Sequence, residues 1–181
     1  TYSELIHKKF SSLDRVKIEQ MASRMNDSAK QAYALLENLL NWSSIQTGQL
    51  RPVREVLSVR ELLVQLQGLM GPVAQQKGVA LIIEKLEETN ILADRQMVAT
   101  VLRNLVSNAL KFSFPNGQVD IGVSSVEGFA LFSVSDTGTG IPLENQPKLL
   151  DIGNRFSSLG TSSETGTGLG LVLCREFVEI N

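Results

Sequence analysis

The sequence predicts an α+β chain, a two-layer α/β sandwich preceded by a long helical segment, and three observations carry that reading. From Asp14, the positions Ile18, Met21, Met25, Ser28, Ala32, Leu35, Leu39 and Trp42 step by three and four, a heptad stripe widened by Ala22, Ala29 and Leu36. Met97, Val98, Val101, Leu102, Leu105, Val106 and Leu110 recur at the same steps and mark an amphipathic helix. The runs "VALIIEKL", "QVDIGVSS" and "FALFSVSD" are rich in β-branched and aromatic residues and end in turn residues, as strands do. Strands on one side and helices on the other make two layers.

In chain order, residues 1 to about 46 read as helical, with one interruption near "FSSLD" and Asp14 as the N-cap of the longer helix. One such helix and a short partner cannot bury the stripe; a second copy of the chain could, and packing against the following domain is the alternative. "TGQLRP" carries the Gly and Pro of a linker, so a boundary is expected near Gly48. "REVLSV" follows as a short strand. Ser58 then caps a helix in which Pro72 predicts a kink or break near Gly71. "VALIIEKL" reads as a buried strand, "NILAD" as a short one, and Asp94 as the N-cap of the amphipathic helix. "FPNG" is a turn, "QVDIGVSS" and "FALFSVSD" pair antiparallel around Glu127-Gly128, and the second of them reads as largely buried. Between Pro142 and Thr165 no hydrophobic period survives, which predicts a mobile lid. "LVLCREFVEI" is the last helix.

The polar face of the amphipathic helix carries the first candidate chemistry. At about 100° per residue, Asn104 and Asn108 lie about 40° apart and Lys111 falls about 20° from Asn104. A carboxamide oxygen is a hard, neutral ligand that suits Mg²⁺, and an ammonium beside it meets phosphate charge. A solvated helix face is the plainer account of the same trio. In "DTGTGIP", Asp136 ends a strand and can accept a hydrogen bond from an exocyclic amine, so it can read adenine, while Gly138 and Gly140 permit close backbone approach. An ordinary Asp-Gly turn remains open there. In "ETGTGLGLVL", Gly166, Gly168 and Gly170 alternate into a helix start, where free amides and the helix dipole favour phosphate; a hinge is the alternative. No Gly-Lys-Ser/Thr follows, so this is not a Walker loop, and the spacing is not the dinucleotide fingerprint.

Composition narrows the classes. A net charge of −2 with no charge block gives no nucleic-acid surface. No apolar run approaches the ~18–20 residues of a membrane span and no signal peptide is visible, so any membrane anchor is expected in segments outside this chain. The single cysteine, Cys174, excludes an internal disulfide framework and reads as a small core residue.

The order of an Asn-bearing helix, Asp-x-Gly-x-Gly and Gly-x-Gly-x-Gly resembles the ATP-binding domain of sensor histidine kinases, a branch of the superfamily that includes type II topoisomerases, MutL-like repair proteins and chaperone ATPases. "NLVSNALKFS", "DTGTGIP" and "GTGLGLVLCREFVE" carry the likeness, and "LLDIGNRFSSLGTSSETGTGLGL" resembles kinases of the Bacteroidetes type. The resemblance implies a Bergerat-type fold over 48–181, lacking the last strands of the family. Residues 1–47 would be an incomplete dimerisation hairpin, with "LLENLLNWSSIQTGQL" similar to its second helix. It implies ATP and Mg²⁺ as cofactors, a metal at Asn108, phosphates at Asn104 and Lys111, and adenine at Asp136 with Gly138, Gly140 and Ile141. It further implies phosphates at Gly166, Thr167, Gly168, Leu169 and Gly170, and Arg155 reaching the terminal phosphate. The paired phenylalanines that precede that basic residue in the family are replaced by Leu150 and Gly153. The implied partners are a second copy of the chain and a response-regulator receiver domain, and the implied setting is cytoplasmic.

His7, the only histidine, is followed by Lys8 and Lys9 where the family's phosphoacceptor has an acidic neighbour, so it reads as a surface residue past the acceptor motif. Without an acceptor the chain is expected not to autophosphorylate. A nucleotide-responsive dimerisation module is therefore a second reading. An ATPase of the topoisomerase or chaperone type is a third, opposed by Asn104, which stands where those relatives carry a glutamate base.

Overall fold

The computed structural model describes residues 14–84, 89–150, 159–162, 164 and 168–181. The expected early interruption at "FSSLD" and the position of His7 lie outside them.

Helix α1 (Arg15–Gln46) starts at Asp14, whose carboxylate accepts from the Val16 amide at 2.9 Å. Its end packs on the rest of the described chain: Ile45, with Leu50, lies against Met97, Leu173 and Phe177. Leu35, Leu36, Leu39 and Leu40 are 42–67% exposed, so the following domain does not cover the stripe. No helix among the described residues is long and apolar enough to cross a membrane.

Strand β1 (Arg54–Ser58) runs into helix α2 (Val59–Lys77), which Ser58 caps by accepting from the Glu61 amide. The expected break at Pro72 is absent. Proline removes one hydrogen bond, but Met70 and Ala74 on either side are buried in the same core and hold both halves against it. The helix ends at Gly78, whose φ of +70° suits glycine.

Strand β2 (Ala80–Ile83) pairs parallel with β4 (Gln118–Val126), which pairs antiparallel with β5 (Phe129–Asp136). Between them, β3 (Asn90–Asp94) pairs antiparallel with β1, and helix α3 (Arg95–Phe112) crosses over to β4. Asp94 does double duty. One oxygen caps α3 by accepting from Gln96 and Met97, and the other accepts from Val53. Helix α4 (Gly170–Ile180) closes the layer, with Asn181 accepting from the Asp94 amide at 2.7 Å and Arg54 donating to the Ile180 carbonyl.

Leu63, Leu66 and Met70 of α2, Leu102, Val106 and Leu110 of α3, and Val119 and Ile121 of β4 form the main core. Helices cover one face of the β2–β4–β5 sheet, and the other face leaves Ile82, Leu131 and Phe129 exposed. The strands expected to be buried in "VALIIEKL" and "FALFSVSD" are therefore half-buried and alternate. A two-layer sandwich covers each sheet once, so a run of apolar residues overstates burial.

Leu102 is 2% exposed at the centre of this packing. Leu102→Ala is expected to destabilise the fold by about 2–5 kcal/mol in urea unfolding followed by circular dichroism. A change under about 1 kcal/mol would contradict the core described.

Candidate functional site

The polar face of α3 is half-buried: Asn104, Asn108 and Lys111 all lie between full burial and exposure. Leu102, Val106 and Leu110 anchor the opposite face, which fixes the rotation of the helix and so the direction of the amides. The Asn108 amide has no hydrogen-bond partner among the described residues, so its oxygen is available to a hard cation. Asn104 sits against the start of α4: a Cβ built on Gly170 would lie 3.1 Å from Asn104 Oδ1. The start of that helix, the end its dipole makes favourable to anions, is thus brought beside the amide face of α3.

Asp136 ends β5, and its Oδ1 accepts from the Gly138 amide at 2.9 Å, closing a tight turn with the carboxylate exposed. The turn docks on the end of α3, where the Thr139 amide donates to the Phe112 carbonyl at 3.2 Å. Gly138 is obligatory because a Cβ there would overlap that carbonyl. Gly140 has open space around it and serves instead through its φ of +65°. Thr137 adds a brace, accepting from the Gln118 amide at 2.9 Å. Ile141 is about half exposed beside the turn.

Gly168, with φ +70°, Leu169 and Gly170 lead into α4. Gly166, Thr167 and Arg155 lie outside the described residues. Along the C-terminal half of α3 the structure thus sets Gly170, preceded by Gly168 and Leu169, beside Asn104, and the turn that carries Asp136, Gly138, Gly140 and Ile141 against the Phe112 carbonyl, next to Lys111 in sequence.

The described part of the expected lid is not loose at its near end. Thr161 donates from its amide to the Lys111 carbonyl (3.1 Å) and from its hydroxyl to the Ser113 carbonyl (2.6 Å). Lys77 donates to the Leu110 and Lys111 carbonyls and to Glu164 Oε1, at 2.8, 2.7 and 2.6 Å. At the far end Arg175 donates to the Leu150 carbonyl. The absence of a hydrophobic period had suggested mobility, yet the attachment is polar, to helix-end carbonyls. Sequence reading missed Lys77, Thr161 and Glu164. The available signal was a lysine directly before the capping Gly78 and an acidic residue two positions before the first glycine of the run.

Burial pushes the Lys111 ammonium below the usual lysine value, with Glu164 opposing and Lys77 adding to the shift. Burial works to raise the Glu164 carboxyl, but the hydrogen bonds from Lys77 and from backbone amides outweigh it and leave it below the usual value. Cys174, buried between α3 and α4, has its thiol pushed up to about 11 by burial, with a hydrogen bond to Asn104 acting the other way, so it supplies no thiolate at neutral pH.

Residues 93–181 match the family described as Histidine kinase-, DNA gyrase B-, and HSP90-like ATPase, and that part of the chain belongs to it. The chain is 32% identical over 193 residues to the cell-division control histidine kinase PdhS of Brucella anthropi, covering 99% of this chain. It spans 18% of the length of that relative. Among solved structures, histidine kinase AdeS of Acinetobacter baumannii superposes with a TM-score of 0.70 at 19% identity, covering 99% of this chain and 84% of that one, a likeness of fold. The catalytic domain of histidine kinase ThkA superposes with a TM-score of 0.60 at 28% identity, covering 70% of this chain and 80% of that one. Within the ATPase family, then, the chain carries the ATP-binding domain of a sensor histidine kinase, with the expected α/β Bergerat-type fold.

Titrating Mg·ATP into the folded chain should show saturable binding that Asp136→Ala weakens by about 10- to 100-fold, the value of a hydrogen bond to a charged group. Asn108→Ala should weaken Mg·ATP by about tenfold and bind ATP in excess EDTA nearly as the parent does. Equal weakening with and without Mg²⁺ would contradict a metal role for Asn108.

Proposed function

We propose that the chain is the catalytic core of a protein-histidine kinase, which moves the terminal phosphoryl group of ATP to a histidine on a helical bundle. The observation that carries this reading is that the start of α4 and the Asp136 turn both pack along the C-terminal half of α3, at Asn104 and at Phe112, on the helix that bears the amides. In this reading Asp136 accepts from the adenine amine, and Gly138, Gly140 and Ile141 bound the base. Asn108 holds Mg²⁺ through its amide oxygen, while Asn104, Lys111, Gly168 and Gly170, with Gly166, Thr167 and Leu169 of the same run, face the phosphates. Arg155 reaches the terminal phosphate. The donor set suits the metal, because one neutral hard oxygen leaves the other positions to phosphate and water.

When bound, Mg²⁺ supplies charge neutralisation on the phosphate oxygens. The protein's part is mainly orientation and charge: phosphoryl transfer asks little covalent chemistry of the enzyme. Asn104 cannot take a proton at neutral pH, so water is not activated from that position and hydrolysis is disfavoured relative to transfer. This separates the kinase from the ATPase reading. Two solved relatives support the assignment of ligands and partner by analogy: ShkA is in complex with AMPPNP, and ThkA with the response regulator protein TrrA. We assign a receiver domain as the downstream partner, a second copy of the chain as the partner of α1, and the cytoplasm as the setting. The domain division is at 47/48, a helical dimerisation segment followed by the ATP-binding domain.

His7, with Lys8 and Lys9 after it, lacks the acidic neighbour of an acceptor, so the donor half is tested against a separate polypeptide. Mixed with labelled ATP and a helical bundle that bears an acceptor histidine, the chain should pass acid-labile label to the bundle, and not to the bundle with that histidine replaced. Tight ATP binding without transfer would favour the nucleotide-responsive dimerisation module.

The exposed stripe makes a second prediction. Sedimentation should give a dimer, and Leu36→Asp with Leu40→Asp should shift it to monomer without changing Mg·ATP affinity by more than about twofold. A monomeric parent chain would contradict the dimer.

A further inference from the structure

Lys77 stands at the end of α2, outside the three segments that form the nucleotide site. Its side chain is 10% exposed, and all three ammonium donors are used: two on the last carbonyls of α3 and one on Glu164. A cation is favoured at that helix end by the unpaired carbonyls and the dipole. Glu164 is bound from several sides. Its second oxygen accepts from the Ser162 amide at 2.7 Å, and its carbonyl accepts from the Gly160 amide at 2.8 Å. Gly160 packs so closely that a Cβ there would overlap Glu164 and the Lys111 side chain. A carboxylate is thereby fixed four residues before Gly168 and close to Lys111, in a place that a triphosphate would find repulsive unless the charge were cancelled.

Resting on the nucleotide-site reading above, we propose that Lys77 and Glu164 are a positioning pair for phosphate binding. Glu164, which precedes Gly168 and Gly170 in sequence, is fastened with Gly160 and Ser162 at the end of α3, and Lys77 cancels the charge of Glu164 so that the fastening does not repel phosphate. Neither residue touches the nucleotide. The pair links α2 to the glycine segment through the carbonyls of the helix that bears Asn104, Asn108 and Lys111.

The design separates charge from attachment. Lys77→Gln keeps N–H donors for the α3 carbonyls but leaves Glu164 uncompensated; Lys77→Arg keeps the charge; Glu164→Gln removes the carboxylate and keeps hydrogen-bonding groups. Affinities for adenosine, ADP and ATP with Mg²⁺ are measured by calorimetry on the whole chain, with thermal melts to establish folding. Lys77→Gln should weaken ATP at least tenfold, ADP less, and adenosine less than twofold. Lys77→Gln combined with Glu164→Gln should regain most of the lost ATP affinity, and Lys77→Arg should stay within about threefold of the parent. Should Lys77→Gln fail to fold, Glu164→Lys is used in its place: two adjacent cations there should loosen the segment and weaken ADP and ATP together by at least threefold. No rescue in the double variant, equal weakening for adenosine and ATP, or unchanged affinities in Glu164→Lys would overturn the pair. A folded parent chain that binds no nucleotide would instead overturn the site reading on which the pair rests.

Discussion

The last turn of α3 is the constraint on which the site depends. A helix leaves its final carbonyls unpaired, and burying them without partners would cost about 1–3 kcal/mol each. Here every one from Ala109 to Ser113 is answered, and by different parts of the chain. Ser113 returns to Ala109 with its amide and hydroxyl. Lys77 takes Leu110 and Lys111, Thr139 of the Asp136 turn takes Phe112, and Thr161 takes Lys111 and Ser113. The requirement that buried carbonyls be paired thus draws the Asp136 turn, the 160–164 segment and the end of α2 to one place, beside the helix that carries the amides.

Much of the fold was legible because it rests on local signals. The steps from Met97 to Leu110, the caps at Asp14, Ser58 and Asp94, and the β4–β5 turn at Glu127-Gly128 each depend on neighbours within a few residues, and each is found where expected. The same holds for Asn104 and Asn108, whose common direction follows from helix geometry alone. The pairing of Lys77 with Glu164 was not legible, since the two meet across 87 residues and Lys77 also serves backbone carbonyls, which belong to every sequence alike. Of the kink or break expected near Gly71, the break does not occur, because propensity speaks for an isolated helix and packing on both sides of Pro72 carries this one through. The strands read as buried misled for a related reason: composition reports that a residue can be buried, and only the layer arrangement reports on which face.

The two halves of the chain differ in how complete they are alone. From β1 to α4 the apolar interior closes on itself, with Arg54 and Asn181 tying the last helix back to the first strands. Among the described residues, helix α1 shares in this through its final turn, and the leucines before it stay exposed. That contrast gives physical content to a division near residue 47: a domain that carries its own core and a helix whose apolar face calls for a partner. In the proposed kinase reading, the part that carries its own core would hold the phosphate donor and a helical segment would present the side chain that receives it.

The proposed nucleotide pocket draws on three segments distant in sequence, ranged along the C-terminal half of α3. Backbone amide NMR on the isotopically labelled chain, recorded as Mg·ATP is added, tests it most directly. The account predicts saturable shifts at residues 104–112, 136–141 and 168–172 together, with one shared dissociation constant, and none at Phe129 and Leu131 on the outer sheet face or along the first half of α1. Shifts confined to one segment, or different constants for different segments, would contradict it.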